Sequence, residues 1–443
     1  MLQFIKSLYF GFRFFYSLIG VILLFLLSYW LPWLYSITWV FVMLFIITVL
    51  IDIALLYKKN GIEATRILPE KFSNSDPNDV TIQYHNKYPF KTYIEVIDEL
   101  PVQFQKRDFK YSSKILANEK AIFKYQVTPL ERGEYKFGYV NIYSQSVLKL
   151  AKIKKVFNNE QLVKVYPSFI QMKSLDFLAI DNRISEIGIK KIRRIGHTME
   201  FEQIKDYVIG DDVRTVNWKA TAKHRQLMVN QFQDEKAQPI YSIIDTGRVM
   251  KMPFRGLTLL DYAINSCLAF SNISLRKKDK TGMLTFSAKT ENIVKGSSKL
   301  SQLRRIMEVL YNIKTDFLES DFGNLYANLN RTITHRSLLM LYTNFEHQSA
   351  LKRQLSYLKA INKKHVLVVI FFENTEVEKL TTTEPENITQ SAHQTIAEDF
   401  IQNKIIMAKE LQRNGIQTIL TKPEELSINA INKYLEIKAR GLI

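Results

Sequence analysis

The residues best suited to chemistry lie together in one segment, GHTMEFEQIKDYVIGDDVRTVNWKATAKHR, which spans residues 196–225. It contains the adjacent acids Asp211 and Asp212, the aromatic residue Trp218 and several spaced lysines and arginines. Paired carboxylates can carry out acid–base chemistry or bind a divalent metal, and the basic side chains can pair with the acids. The segment is therefore either a candidate hydrolytic site or an ion-paired connector between domains.

The local sequence predicts how these groups are positioned. A glycine turn precedes Asp211 and Asp212, whose carboxylates can accept the first amides of a helix that begins near Val213. On this helix the Arg214 guanidinium can stack on the Trp218 indole. One helix face would then pack while the other presents the polar groups.

The segment resembles the signature of the bacterial domain-of-unknown-function family fifty-eight, E-F-x-x-x-R-x-Y-x-x-G-D-D-x-R-x-I-D-W-K-A-S-A-R. The chain agrees with this signature at Glu200, Phe201, Tyr207, Gly210, Asp211, Asp212, Arg214, Trp218, Lys219, Ala220 and Ala222. It departs from the signature at Lys205, Val216, Asn217, Thr221 and Lys223. Because Asn217 replaces an aspartate, this position suits a hydrogen-bonding clamp rather than a catalytic carboxylate.

Members of this family are membrane proteins that are often associated with MoxR-type AAA+ ATPases. The resemblance implies that such an ATPase is the partner of this chain, in envelope-related assembly, maturation or stress tolerance. It also implies that the signature residues form the partner surface or position one domain against another. That predicted surface consists of Glu200, Phe201, Tyr207, Gly210, Asp211, Asp212, Arg214, Trp218 and Lys219.

The amino terminus predicts a membrane anchor. Residues 14–31 carry no charge and residues 34–57 carry only Asp52, and each run is about as long as a bilayer-spanning helix. Pro32 and Trp33 leave only a tight connection, so the two runs are expected to form a transmembrane hairpin within residues 1–60. A cleavable signal peptide is the competing interpretation, but no small-residue cleavage site precedes the second run.

Basic residues flank the hairpin at Lys6, Arg13, Lys58, Lys59 and Arg66. The positive-inside rule then places both termini and the soluble domains in the cytoplasm, at the inner membrane. The intramembrane acid at position 52 lies close to the cytoplasmic end, so it either marks an ion path or reaches the interface.

The 443-residue chain has a formal net charge of +18, which raises the question of nucleic-acid binding. Its basic residues form separate short clusters, however, and anionic lipid beside a membrane-anchored domain explains such clusters more simply. We therefore expect the lipid bilayer, and no nucleic acid, as the charged partner.

Residues 61–168 have the pattern of an antiparallel β-sandwich. Phe123, Tyr125 and Val127 alternate with polar residues, and turn-forming stretches recur at short intervals. The motifs DELP at 98–101 and ERGEYKFG at 131–138 look like motifs of the family's β-domain, although plain turn chemistry also accounts for them.

A basic linker and the signature occupy residues 169–238, and the pattern changes again at residue 239. Near-continuous apolar runs, PIYSIID, KTGMLTF, SLLMLYT, HVLVVIFF and IQTILT, alternate with helix-length segments up to residue 443. Buried parallel strands have this composition. The overall prediction is a multidomain chain that ends in a doubly wound α/β domain.

The first apolar run of this domain ends at Asp245, a placement that resembles von Willebrand factor A-type domains. Their metal site uses D-x-S-x-S at this point, and then a threonine and an aspartate on later loops. Here Gly247 and Val249 replace the serines, and Asn344 stands where the aspartate is expected. Because magnesium prefers hard oxygen ligands, we predict that this degenerate site binds no metal in the A-type manner.

No enzyme motif offers an alternative centre. The sequence lacks a G-x-x-x-x-G-K-[ST] loop, an H-E-x-x-H motif and a G-x-S-x-G elbow, and its single cysteine, Cys267, lies in an apolar helical setting. We expect no cofactor and no catalytic residue. The leading hypothesis is a membrane-anchored scaffold or adaptor; the alternatives are a metal-dependent hydrolase that uses the signature acids and an A-type adhesion module.

Overall fold

The computed structural model describes residues 7–57, 61–106, 109–157, 160–173, 200–209, 211, 213–224, 226–233, 238–315, 317–382, 385 and 387–442. The chain divides into two compact units, Met1–Tyr166 and Pro167–Ile443. The first unit contains the segments predicted as hairpin and sandwich. The second contains the signature segment and the predicted α/β domain.

Two apolar helices follow each other near the amino terminus: α1 (Phe12–Ser28) and α2 (Trp33–Tyr57). The rings of Phe14 and Phe45 lie 5.4 Å apart, and those of Phe25 and Trp39 lie 5.8 Å apart, so the helices pack antiparallel. By length and composition α2 could cross a membrane, whereas α1 is apolar but shorter.

The remainder of the first unit consists of strands β1 (Leu8–Phe10), β2 (Ile62–Ile67), β3 (Lys71–Ser73), β4 (Asn78–Asn86), β5 (Thr92–Asp98), β6 (Lys110–Ile115), β7 (Lys120–Val127), β8 (Gly133–Phe137), β9 (Val140–Gln145), β10 (Ala151–Phe157) and β11 (Gln161–Tyr166). They form sheets in the orders β1-β10-β9-β5-β6, β3-β11-β8 and β2-β4-β7. Ile82 and Tyr84 of β4 pack in one core with Ile94 of β5 and Ile142 of β9, which makes the unit a sandwich. The prediction of a wholly antiparallel sandwich was wrong in one respect, because β3 and β11 pair in parallel.

The DELP and ERGEYKFG motifs meet inside the sandwich. Arg66 Nη1 donates to Asp98 Oδ1 at 2.6 Å, and Arg66 Nη2 donates to the Gly138 carbonyl at 3.0 Å. The Tyr125 hydroxyl donates to the other oxygen of Asp98 at 2.5 Å. Burial raises the pKa of the Asp98 carboxyl, and Arg66 and Tyr125 oppose that rise. These motifs therefore supply buried partners as well as turns.

Asp52 is fully buried on α2 and binds the sandwich. Its carboxylate accepts the amides of Leu150 at 3.0 Å and Ala151 at 2.9 Å, and it also accepts the Ser146 hydroxyl. Two amides and a hydroxyl satisfy a buried carboxylate well. Asp52 therefore ties α2 to the start of β10, a contact that neither interpretation of this acid anticipated.

The second unit contains strands β12 (Glu200–Asp206), β13 (Met228–Gln233), β14 (Pro239–Asp245), β15 (Pro253–Phe254), β16 (Leu257–Thr258), β17 (Lys280–Phe286), β18 (Thr290–Ser297), β19 (Leu338–Tyr342), β20 (Val366–Phe372) and β21 (Gln417–Thr421). Its helices are α3 (Trp218–His224), α4 (Leu259–Arg276), α5 (Ser301–Tyr311), α6 (Phe322–Thr332), α7 (Gln348–Lys364), α8 (Thr375–Thr382), α9 (Ile388–Arg413) and α10 (Leu426–Arg440).

Six of these strands form the central sheet in the order β18-β17-β14-β19-β20-β21. All neighbours pair in parallel except β17 and β18, which pair antiparallel at one edge. One face of the sheet is covered by α4, α5 and α10, and the other by α6, α7 and α9. The doubly wound α/β domain has the predicted layers, with an additional antiparallel edge strand.

Candidate functional site

Asp245 lies at the carboxyl end of β14 and is completely buried. Its Oδ1 accepts the Gly247 amide at 2.8 Å and the Ser320 hydroxyl, and its Oδ2 accepts the Thr343 hydroxyl at 2.6 Å. Three loops therefore meet at this carboxylate, at the edge where doubly wound sheets bind ligands.

Ser320 takes the space that a side chain at position 247 would need. A Cβ built on Gly247 would collide with the Ser320 hydroxyl and would lie 3.0 Å from Asp245 Oδ1. A later loop thus supplies a hydroxyl near the position where the A-type pattern has its first serine. Val249, at the position of the second serine, presents an apolar side chain to the small cavity over Asp245.

Asn344, at the position of the expected aspartate, is bound by a lysine. Lys404 Nζ on α9 donates to Asn344 Oδ1 at 2.8 Å and to the Phe345 carbonyl at 2.5 Å. The lysine is only 3% exposed. Burial lowers the pKa of Lys404 to about 8, and the charge of Glu346 opposes this change. The chain therefore places its own cation at this edge of the sheet.

Sequence reasoning missed Ser320, Thr343 and Lys404. Helical spacing could have predicted that Lys404 is buried. It lies seven residues after Ala397 and three before Met407, on the buried face of α9. Thr343 could also have been predicted, because it directly precedes Asn344, just after β19. Its hydroxyl is the second one that donates to Asp245. The sequence around Ser320 offers no comparable pattern.

The donor set fits a hard dication poorly. Asp245 supplies a single carboxylate, both of whose oxygens accept protein hydrogen bonds, and the amide of Asn344 already accepts an ammonium. Within the described ranges, no group of three or more His, Cys, Asp or Glu side chains could hold a metal ion. The prediction that this domain does not bind metal in the A-type manner remains a prediction.

Two cavities open at this edge. A cavity of about 280 Å³ is lined by apolar side chains and by the polar residues Asn344, Glu346, His347, Glu373, Asn374 and Lys404. A smaller one, of about 80 Å³, lies over Asp245 and is lined by Arg248, Ser320, Thr343 and Arg353 among others. Burial raises the pKa of Glu373, so the larger cavity contains a lysine and a glutamate that both titrate closer to neutrality than usual.

The signature segment forms its own two-stranded antiparallel sheet from β12 and β13. After β12, Asp211 closes a turn, because its carboxylate accepts the Val208 amide at 3.0 Å and the Lys205 ammonium at 3.0 Å. The Val208 amide and the Lys205 ammonium lower the pKa of Asp211. This carboxylate is held in its charged form as a structural group.

The helix of this segment begins later than predicted. Residues Val213–Thr215 form one 3-10 turn, and α3 starts only at Trp218. Asn217 Oδ1 accepts the Ala220 amide at 3.1 Å, so Asn217 rather than Asp211 caps the helix. Its Nδ2 donates to Asn230 Oδ1 on β13 at 2.8 Å. A carboxylate at position 217 could cap the helix but could not donate this second bond.

Several apolar side chains in the described part of this segment are exposed, and we call four of them the signature patch: Val208, Ile209, Val213 and Trp218. Ile209 is 96% exposed and Trp218 is 72% exposed. Tyr207 is half-buried and Lys219 is exposed beside Trp218. All four lie between the end of β12 and the first residue of α3, and exposed apolar side chains that group together mark interaction sites more often than isolated ones do.

The remaining predicted signature positions lie outside the described residues. They are Gly210 and Asp212, together with the side chains of Glu200, Phe201 and Arg214. The predicted stacking of Arg214 on Trp218 therefore lies outside the described part of the chain.

The strand order, with Asp245 after β14 and Thr343-Asn344 after β19, defines the carboxyl-terminal domain as von Willebrand factor A-like. Residues 203–415 match the family described as "Protein of unknown function DUF58", in agreement with the resemblance of the signature. Over 199 residues the chain is 24% identical to uncharacterized protein YeaD of Bacillus subtilis (strain 168). This alignment covers 43% of the chain and spans about half, 49%, of that relative.

Two solved structures are similar to this domain. The conserved hypothetical protein BatB from Bacteroides thetaiotaomicron is 14% identical with a TM-score of 0.32, and the match covers 46% of this chain and 99% of BatB. The SpRpn10 VWA domain is 10% identical with a TM-score of 0.27, and the match covers 44% of this chain and 94% of that domain. Both likenesses concern the fold alone.

Proposed function

We propose that this protein is a membrane-anchored adaptor whose signature patch binds a protein partner, a MoxR-type AAA+ ATPase. The observation that carries the proposal is the combination of an exposed apolar surface with a rigid support beneath it. The patch residues stand on a turn closed by Asp211 and on a helix that Asn217 ties to β13. A surface fixed in this way loses little conformational freedom when a partner binds.

The anchor in this proposal is a transmembrane hairpin formed by α1 and α2. The 25 residues of α2 suffice for the bilayer core, and the 17 residues of α1 are at the lower limit of about 17 for a span. Many of their large apolar side chains are exposed, as a lipid-facing pair requires. The flanking lysines and arginines support an inner-membrane location with both termini in the cytoplasm.

The hydrolase alternative has less support. Asp211 holds a turn in its charged form, which does not suit a general acid. An adhesion module of the A type would need a metal site, and at that edge the Lys404 ammonium already occupies the Asn344 side-chain oxygen. Neither alternative uses the exposed patch.

The test is affinity capture of the tagged full-length chain from detergent-solubilised native membranes, with and without ATP. We expect the wild type to recover the ATPase, and the double variant Ile209→Ser/Trp218→Ala to lose at least nine-tenths of it. Ile388→Ser is the matched control, because Ile388 is also exposed on the second unit but lies outside the patch. Equal recovery by the double variant and the control, or no ATPase with any form, would refute the proposal.

A further inference from the structure

The turn between β9 and β10 lies at the ends of both apolar helices. The Gly11 amide, just before α1, donates to the Leu150 carbonyl at 2.8 Å, and Arg13 Nη1 donates to the Leu148 carbonyl at 3.4 Å. From α2, Asp52 accepts the Leu150 amide. This turn is therefore fixed at the level where the proposed hairpin would leave the membrane.

A basic pocket opens beside this turn, with a volume of about 540 Å³. The residues that line it include Tyr93, Glu95, Ser112, Lys114, Gln145 and Lys149. Three ammonium groups surround its central ring: the Nζ atoms of Lys149, Lys114 and Lys91 lie 3.7, 5.8 and 5.9 Å from the centroid of Tyr93. Several ammonium groups around one ring make the local potential positive, which favours binding of an anion.

The carboxylate that lines the pocket does not balance this charge. Glu95 already pairs with Lys152 at 3.1 Å and with Lys110. In the described part of the chain, no ion pair engages Lys91, Lys114 or Lys149. The Ser112 hydroxyl and the Gln145 amide add neutral donors, so the pocket has groups that suit a phosphate.

A separate apolar groove lies between the two helices. Its volume is about 490 Å³, and it is lined by Ser17, Gly20, Val21, Leu24, Phe41, Leu44, Phe45, Thr48 and Leu150. Leu150 lines this groove, and Lys149, the residue before it in the sequence, lines the basic pocket. An anionic headgroup and an acyl chain of one molecule could therefore occupy the two cavities together.

We propose that the pocket around Tyr93 binds the phosphate headgroup of an anionic phospholipid, with an acyl chain in the groove between α1 and α2. The site rests on the proposed membrane anchoring, because the groove faces lipid only if the helices span the bilayer. Lys114 and Lys149 supply the charge that selects an anionic headgroup, and Leu150 marks the boundary with the acyl region. The bound lipid would fix the sandwich at the membrane surface.

The test compares lipid retention by the full-length chain in detergent, measured by native mass spectrometry with equal amounts of phosphatidylglycerol and phosphatidylcholine. We expect the wild type to retain phosphatidylglycerol at least fivefold more than phosphatidylcholine. Lys114→Gln/Lys149→Gln should abolish this preference. The control Lys120→Gln/Lys124→Gln changes two exposed lysines on β7, in another sheet, and should keep it.

Three results would overturn the site. They are an unchanged preference in Lys114→Gln/Lys149→Gln, an equal loss in the control variant, and displacement of the lipid by millimolar inorganic phosphate, which would indicate a site for soluble anions. Carbonate extraction of native membranes separates this proposal from the anchoring. A chain that resists extraction but shows no preference refutes the lipid site alone, whereas an extracted chain refutes the anchoring and the site with it.

Discussion

The buried ammonium of Lys404 should make the von Willebrand factor A-like domain more stable as the pH rises. A lysine in an ion pair has the opposite effect, because its partner raises its pKa in the folded chain. Its pKa is lowered to about 8 in the folded chain, from 10.5. Between these values the unfolded chain binds more protons than the folded chain, so stability rises with pH. The destabilising contribution is fully present below about pH 8 and disappears as the pH approaches 10.5.

The expected size follows from the same two pKa values. Linkage gives a gain of about 2 kcal/mol in the free energy of unfolding for this one group between pH 7 and pH 9.5. The range stops at pH 9.5 because burial raises the pKa of Tyr342 and Tyr434, and their titration would lower stability at higher pH. Lys404→Met should remove this gain, and Lys409→Met, an exposed position on the same helix, should keep it.

Cys267 provides an assay that reports on this domain in the full-length chain. It is the single cysteine of the sequence, and it is fully buried on α4 in the core of the domain. Burial raises the pKa of its thiol to about 11, so the folded chain should resist labelling. A short pulse of thiol reagent across a urea series, calibrated on unfolded chain at each pH, yields the free energy of unfolding.

For each variant, the quantity to compare is the change in the free energy of unfolding between pH 7 and pH 9.5. If wild type and Lys404→Met gain stability equally over this range, Lys404 is not buried as an ammonium of lowered pKa. The absolute stability of Lys404→Met at pH 7 is less informative. The substitution removes a buried charge but also leaves the Asn344 amide and the Phe345 carbonyl without their donor.

Three further predictions concern single contacts. Asn217→Asp keeps the helix cap but loses the donor to Asn230, so we expect a loss of about 1 kcal/mol and weaker ATPase capture; unchanged urea and capture curves would contradict the clamp. Asp98→Ala removes the buried carboxylate that pairs with Arg66 and should cost about 3–5 kcal/mol, measured by thermal unfolding in detergent; a shift of less than a degree would contradict a buried pair. Asp52→Asn replaces an accepting oxygen by an NH2 group, so hydrogen exchange at the two turn amides that Asp52 binds should accelerate about tenfold, and equal protection would refute the tie.

The parallel strands of the central sheet were predictable because burial on both faces leaves a continuous apolar signature. Strands β14, β17, β19, β20 and β21 all carry it, and each was expected from the sequence. Strand β18, with the sequence TENIVKGS, was missed because it is half-exposed at the edge and reads as a polar connection. Whether a strand could be predicted from the sequence therefore depended on how completely it is buried, and not on its strand propensity.

Long-range polar contacts were the least predictable part. Asp52 and its partners are about a hundred residues apart in sequence, and nothing local marks the pairing. The start of α3 was misjudged for a different reason. Both Asp211 and Asn217 are good capping residues, and the bonds from Asn217 to Asn230 and to the Met228 carbonyl favour the later start. The local sequence was compatible with two starting points for α3, and contacts with β13 determine which one is used.

The presence of an amide at position 344 is explained by the buried ammonium of Lys404 that it accepts. An aspartate at position 344 would lie 2.8 Å from the ammonium, so the pair would be a buried salt bridge whose desolvation cost can exceed its Coulombic gain. The amide avoids burying the second charge while still accepting a hydrogen bond. The same ammonium would repel a divalent cation approaching Asp245 through the adjoining loops. The amide at position 344 and the lysine on α9 therefore act together, and this edge of the sheet carries its own cation beside Asn344.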